Sequence, residues 1–431
     1  MAHFQQATFW QAVRSGAWLT AGRIRGYSLI LIGFYAIAIV GWIALSHGLI
    51  DPNGKPLGTD FSSFYAAGSM VLEGRATAVY DMAAHYAREQ QIFGAGTPYY
   101  GWFYPPLFLL VAAPLALMPY LLALAVWQGV TLIFYLGVIA AILRPARLSQ
   151  SGLERIWPFA ALAFPAIFIN LGHGQNGLFT AGLLGAALLA LPCRPLLSGL
   201  LFGCLAYKPQ FALVIPVALV AASQWRTAVA ATLTVLVLVA VTTLALGTDI
   251  WSGFFASMDQ SRRLLLEQGS VGFEKLQSVF AAVRMWGGGL TLAYIVQGLT
   301  SATTICGVVW VWRDRCDDRL KAATLIVAAL LASPHTLDYD LTIAAPAIAF
   351  LTSLGLARGF RDFEISLLAT AWIMPLLTRS IAGLAGIPLG MIVLLALYAF
   401  TLRRAAHDRK NVHNTAASSR ARDLALRSSP T

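Results

Sequence analysis

Apolar runs near twenty residues recur along this chain, separated by short polar stretches rich in Gly, Pro, Arg and Asp. A helix of that length crosses a hydrocarbon core of about 30 Å. The runs are apolar all round rather than on one face, as expected for helices surrounded by lipid or by other helices. They predict spans at 27–46, 120–143, 156–171, 177–191, 195–207, 210–223, 227–246, 290–312, 320–332, 341–357, 363–378 and 387–402. The longest amphipathic stretch, LGTDFSSFYAAGSMVLEGRATAVYD, follows the first span and opens near Asp60. The expected fold class is an all-α polytopic membrane protein of about 12 transmembrane helices, with juxtamembrane helices at its outer face.

Two segments need a decision. Residues 103–120 are apolar but short and broken by prolines, and counting them as a span would put Arg144, Arg147 and Arg155 outside. They are expected to dip into the membrane from the outer face, where non-helical backbone is tolerated against protein. Residues 195–223 could form one tilted helix, but Lys208-Pro209-Gln210 interrupts them. Proline disfavours helix in the residue before it and donates no backbone hydrogen bond, so two short spans are expected.

Only 11% of residues are charged and the mean hydropathy is +0.69, which reinforces the membrane assignment. The N-terminal 1–26 lacks a secretory signal pattern and carries Arg14, Arg23 and Arg25, so it is expected in the cytoplasm. With twelve spans the basic tail 403–431 returns there too, and most of the 30 Lys and Arg residues fall inside. The net charge of +11 therefore reads as cytoplasmic flanks near anionic lipid, and no nucleic-acid partner is expected. The transmembrane domain would run from 27 to 402, with large outer loops at 47–119 and 247–289. Cys193, Cys204, Cys306 and Cys316 show neither disulfide nor zinc-ligand spacing.

This topology gathers the polar motifs on one face. Asp60, GHGQN (Gly172–Asn176), Lys208-Pro209-Gln210, SPHTLDYD (Ser333–Asp340) and the loop with Arg262, Arg263 and Lys275 all fall at outer helix ends. Ionisable groups at a membrane edge are functional candidates because their desolvation is costly. Each also has a structural reading. Asp60 and Asp81 could cap helices. His173, Gln175 and Asn176 could serve a glycine-rich turn. Lys208 could snorkel to the interface, His335 could be a packing histidine, and Arg262 and Arg263 could be solvated loop charges. Trp102, Phe103 and Tyr104 fit an interfacial belt. Walker A, GxGxxG and HExxH motifs are absent, which argues against a nucleotide-driven pump and a zinc protease.

The succession TDFSSFYAAGSMVLEGRATAVYD, YPPLFLLVAAPLALMP, NLGHGQNG, YKPQ and SPHTLDYD resembles glycosyltransferase family 87 over roughly residues 27–400. The resemblance implies a GT-C fold and an active site on the extracytoplasmic (periplasmic) side of a bacterial inner membrane. It implies a polyprenyl-phosphate sugar donor, as in polyprenyl-phosphate-mannose-dependent α-mannosyltransferases, and a lipid or glycan acceptor. Asp60 matches the family's acid in the first outer loop, the general base, and His335 matches the histidine near the donor phosphate. Lys208, Arg262 and Arg263 are further candidates for that phosphate. Tyr80, Asp81, His173, Gln175, Asn176, Gln210, Asp338, Tyr339 and Asp340 are candidate substrate contacts. A donor with one phosphate offers little chelation, so no cofactor and no obligatory divalent metal are expected. A secondary transporter or flippase is the competing reading, compatible with the broken helix at Pro209.

Overall fold

In the computed structural model, which describes residues 2–144 and 155–427, every regular element is helical. An amphipathic α1 (Ala2–Ser15) precedes the long α2 (Ala21–Ala44), whose N-cap Thr20 accepts a bond from the Arg23 amide. Then come α3 (Thr59–Leu72), α4 (Met82–Phe93), the short α5 (Leu109–Leu115) and the long α6 (Tyr120–Leu143). A run of shorter helices follows: α7 (Trp157–Leu162), α8 (Pro165–His173), α9 (Gly177–Ala190), α10 (Pro195–Cys204), α11 (Pro209–Ala212) and α12 (Val214–Ala221). The chain continues through α13 (Trp225–Leu246), α14 (Asp249–Arg262), α15 (Val279–Met285), α16 (Leu290–Arg313) and α17 (Asp318–Ala332). It closes with α18 (Ala344–Arg358), α19 (Glu364–Ala385) and α20 (Leu389–Arg427).

Seven of the twelve expected spans are helices long and apolar enough to cross a membrane: α2, α6, α13, α16, Asp338–Arg358, α19 and Leu389–Arg409. The other five are shorter. Predicted span 156–171 divides at Pro165, which starts α8, and 210–223 divides into α11 and α12. A 14-residue helix such as α9 is only about 21 Å long at 1.5 Å per residue. How far protein covers these short helices differs: α7 has no fully buried residue and α10 exposes Leu196 and Leu200. Leu320 to Ala332 of α17 are buried almost without exception, a helix apolar on all sides at the centre of the bundle. Glycine allows the closest approach: a Cβ on Gly199 of α10 would sit 2.5 Å from the Thr227 carbonyl of α13, and one on Gly203 2.8 Å from that of Ala231.

Residues 103–120 form no long helix. A short turn and α5, with Pro114 inside it, pack beneath α3, where a Cβ on Gly68 would lie 2.2 Å from the Ala112 carbonyl oxygen. Helix α20 runs through the expected boundary at 402, since no glycine or proline interrupts it after Gly390. The expected cytoplasmic loop with Arg147 lies outside the described residues, as does the end of the tail past Arg427. Among the described residues, extended pairing is limited to isolated bridges. One of them, Leu276 to Leu337, ties the 247–289 loop to the SPHTLDYD segment.

Candidate active site

Asp60 owes its place to a glycine. Gly58 has φ +69°, open to glycine at little steric cost, and a Cβ there would meet Leu124 at 2.8 Å. The chain turns at Gly58 into α3, so Gly58 rather than Asp60 is the N-cap, and Asp60 stands in the first turn. The capping reading of Asp60 therefore fails. The carboxylate is free to face the GHGQN turn instead: Gln175 donates its Nε2 to Asp60 Oδ2 at 3.1 Å, and His173 Nδ1 lies 3.7 Å from Oδ1. Asp81 does cap: its carboxylate accepts the Ala84 amide at the start of α4, and it is exposed.

The turn itself is built by Gly174. α8 ends at His173, Gly174 adopts φ +62°, and the Gln175 amide closes back on the Asn170 carbonyl. A side chain at 174 would approach Phe61 Cβ to 2.6 Å, so glycine there also lets the turn touch α3. Trp127 and Gln128 of α6 donate to the Gly174 and Leu171 carbonyls and hold the turn in place. Gln175 is fully engaged: Tyr104 and the Asn176 amide both donate to its Oε1. Tyr80 in turn donates to the Tyr104 carbonyl. Asn176 is fully buried, with both side-chain polar atoms lacking a partner.

Burial works to raise the Asp60 pKa, but His173, Gln175 and the more distant Lys275 outweigh it, leaving the carboxyl below its ordinary range. Burial works to lower the pKa of His173, and Asp60 with help from Asp338 more than offsets that. His173 also shares a 2.7 Å hydrogen bond with Thr59 Oγ1 and packs its ring on Tyr339. The Asp60 contribution to stability is present above 3.8 and is lost as pH falls through the lowered folded value. The His173 contribution is full below 6.5 and is lost as pH rises through the raised folded value. The melting temperature of the purified protein is therefore expected to fall on the alkaline side of 6.5 less steeply in Asp60→Asn than in wild type. Identical alkaline limbs would disprove the pairing.

Lys208 does not snorkel. Its Nζ donates to Asp340 Oδ1 at 2.6 Å with both side chains about 3% exposed, and Asp340 Oδ2 accepts the Leu337 amide. Its ammonium also lies over the rings of Phe211 and Tyr339. Asp338 accepts the Tyr339 amide and is buried. His335 occupies the turn before them; burial, reinforced by Lys208 and opposed by Asp340, keeps its pKa below the ordinary value, and its Nδ1 is buried without a partner. Gln210 is half-buried in the first turn of α11, apart from the Asp60 network. Arg262 and Arg263 are about half exposed or more and pair with acids of their own segment, Asp259 for both and Glu267 for Arg262.

Two cations with no assigned role complete the picture. The Gln277 amide donates to the Thr336 carbonyl at 2.6 Å, and Thr378 donates to Gln277 Oε1, also at 2.6 Å. These contacts bring Lys275 toward Asp338 and Asp60, and Arg379 toward Lys275 and Asp338. Burial lowers the Lys275 pKa, as does Arg379 beside it, while Asp338, Asp60 and Glu274 oppose that. Neither cation has an ion pair within 4 Å among the described residues. Arg379 is exposed near the end of α19, whose one other charge, Glu364, lies in the first turn; a cation so placed in an apolar helix is a signal the sequence carried. Glu89 is a second acid near Asp60, fully buried, with Oε2 accepting the Tyr100 amide and His85 3.6 Å from Oε1. It sits in the amphipathic α4, where nothing in the sequence marks it out. No group of three His, Cys, Asp or Glu among the described residues is arranged to hold a metal ion.

The model of glycosyltransferase family 87 matches residues 102–334. That stretch contains Tyr104, the GHGQN turn, Lys208 and Lys275, and it begins after Asp60 and ends just before His335. No curated protein and no solved structure matches the chain.

Proposed function

The chain belongs to glycosyltransferase family 87, and on that premise we propose that it transfers a hexosyl unit, mannosyl first among them, or a pentosyl unit from a polyprenyl-phosphate sugar to a hydroxyl of a lipid or glycan acceptor. A membrane glycosyltransferase is what the family and the apolar helices support directly. The observation that carries the finer reading is the Asp60 carboxylate, held by Gln175, with Lys275 in its neighbourhood and Arg379 close to Lys275 and Asp338, neither cation having an ion pair among the described residues. An acceptor hydroxyl attacks the anomeric carbon while its proton passes to Asp60. The bond from that carbon to the phosphate oxygen breaks, and the electron pair leaves on the phosphate. Lys275 and Arg379 stabilise that charge, with neutral His335 donating a hydrogen bond. One displacement inverts the anomeric centre. Gln175 and His173 orient Asp60, and no metal is needed for a leaving group bearing a single phosphate.

Lys208 is a weaker phosphate candidate because Asp340 already neutralises it, and Arg262 and Arg263 are weaker for the same reason. The arginines of α1, α2 and the helix ends opposite Asp60 favour an active site on the periplasmic side of a bacterial inner membrane, with both termini cytoplasmic. The test is transfer by purified protein in nanodiscs from a radiolabelled polyprenyl-phosphate sugar to lipid and glycan acceptors. Lys275→Ala combined with Arg379→Ala is expected to lower the rate about 10²- to 10³-fold. Arg262→Ala should change it about twofold or less, as for other exposed paired charges. Equal use of a nucleotide sugar, or an unaltered rate in the double variant, would sink the donor assignment.

A further inference from the structure

At the end of the bundle away from Asp60, α2 leans on its neighbours and leaves an apolar cavity of about 690 Å³. Its walls include Tyr27 and Ser28 of α2, Tyr135 of α6, Ala161 of α7, Ala349 of α18 and Trp372 of α19. The linker from α1 closes one side with Trp18, and that linker is fixed. Trp18 donates its indole N–H to Ser366 at 2.8 Å, Ser366 donates to the Val13 carbonyl, and Arg14 pairs with Asp362 at 2.6 Å. Gly16, at φ +76°, lies so close that a Cβ would meet Ile365 at 2.4 Å. The packed side is therefore fixed, while Tyr27 and Ile30 of the lining are 51% and 68% exposed, so the cavity opens outward along α2.

Its chemistry selects its occupant. Water does not settle in an apolar cavity, and an empty one forfeits the dispersion contacts of its whole lining. The volume lies within the range of about 300–1,000 Å³ usual for small-molecule sites. Arg23 adjoins the lining residue Ile24, Arg144 follows Leu143, and Arg155 precedes Ile156. None of these arginines has an ion pair among the described residues; Arg23 gives one N–H to the Trp18 carbonyl. Ser28 adds a hydroxyl on the wall that is buried without a partner.

We propose that this cavity is a binding site for an anionic phospholipid, one acyl chain filling it and the phosphate lying against Arg23, Arg144 and Arg155. The site is separate from the transfer chemistry and stands whatever the sugar donor proves to be. The donor's phosphate belongs beside Asp60 at the opposite end, so its tail is the rival occupant.

The full chain would be equilibrated in nanodiscs of equal parts phosphatidylglycerol and phosphatidylcholine, released, and weighed by native mass spectrometry. Wild type is expected to retain a phosphatidylglycerol in preference to phosphatidylcholine by about tenfold or more. Ala161→Trp, which fills the cavity, should lose the retained lipid. Arg23→Gln with Arg155→Gln should keep a phospholipid but lose the headgroup preference. Retention unchanged in Ala161→Trp, no headgroup preference in wild type, or a polyprenyl lipid in the cavity would each overturn the proposal. Should Ala161→Trp not fold, phosphatidylglycerol with a photoreactive acyl chain supplies the second test on wild type. Labelling of the peptides that hold Tyr27 or Ala161 supports the site, and labelling only elsewhere refutes it.

Discussion

Asp60→Asn is expected to lower kcat about 10²- to 10⁴-fold, the usual contribution of a positioned general base, with little change in KM for the lipid donor. The substitution keeps the shape of the side chain and a partner for Gln175 while removing the proton acceptor. Glu89→Gln is the informative comparison, because Glu89 is another acid in the neighbourhood of Asp60. Its carboxylate is fully buried and already accepts the Tyr100 amide, and burial raises its pKa. It therefore has no route to an acceptor hydroxyl, and its loss should act on stability far more than on the rate per folded molecule. Radiolabelled transfer, normalised to the folded fraction, reads both. A large rate loss in Glu89→Gln with near-normal transfer in Asp60→Asn would reverse the assignment.

Lys208→Met is expected to destabilise the folded protein by about 3–5 kcal/mol, because it strands the Asp340 carboxylate without its cation in the buried interior. Replacing both partners, Lys208→Met with Asp340→Leu, should restore most of that loss, since a buried pair contributes little beyond an apolar pair of similar volume. Thermal melting in one detergent distinguishes the two. A single variant that melts like wild type would show that the 2.6 Å contact has no structural role and would return Lys208 to the list of phosphate ligands.

The all-helical class was legible in the sequence because burial in lipid and burial in protein both demand long apolar runs. That same equivalence hid the number of spans. The segments at 156–171, 177–191, 195–207, 210–223 and 320–332 are apolar like the longer spans but form shorter helices, from the almost wholly buried α17 to α10 with its exposed leucines. Hydropathy cannot say whether protein or lipid covers them. Pro209 marked its break, since a proline's effect on backbone is local, whereas the break at Pro165 falls inside the single span expected at 156–171. The capping of Asp81 was legible for the same reason, whereas Asp60 was not a cap because the preceding Gly58 had already turned the chain.

The sequence by itself determined which residues could carry chemistry: Asp60, His173, Gln175, Lys208, His335 and the acids of SPHTLDYD are scarce polar groups among apolar ones. Only the tertiary structure decided which of their charges remain available. It consumed Lys208 on Asp340 and Arg262 and Arg263 on Asp259, and among the described residues it left Lys275, near Asp60 and Asp338, and Arg379, near Asp338, without an ion pair. The reason is physical. Residue type follows from a local code, but neutralisation of a charge depends on distances of a few ångströms between groups far apart in the chain, and those are set by how the helices pack.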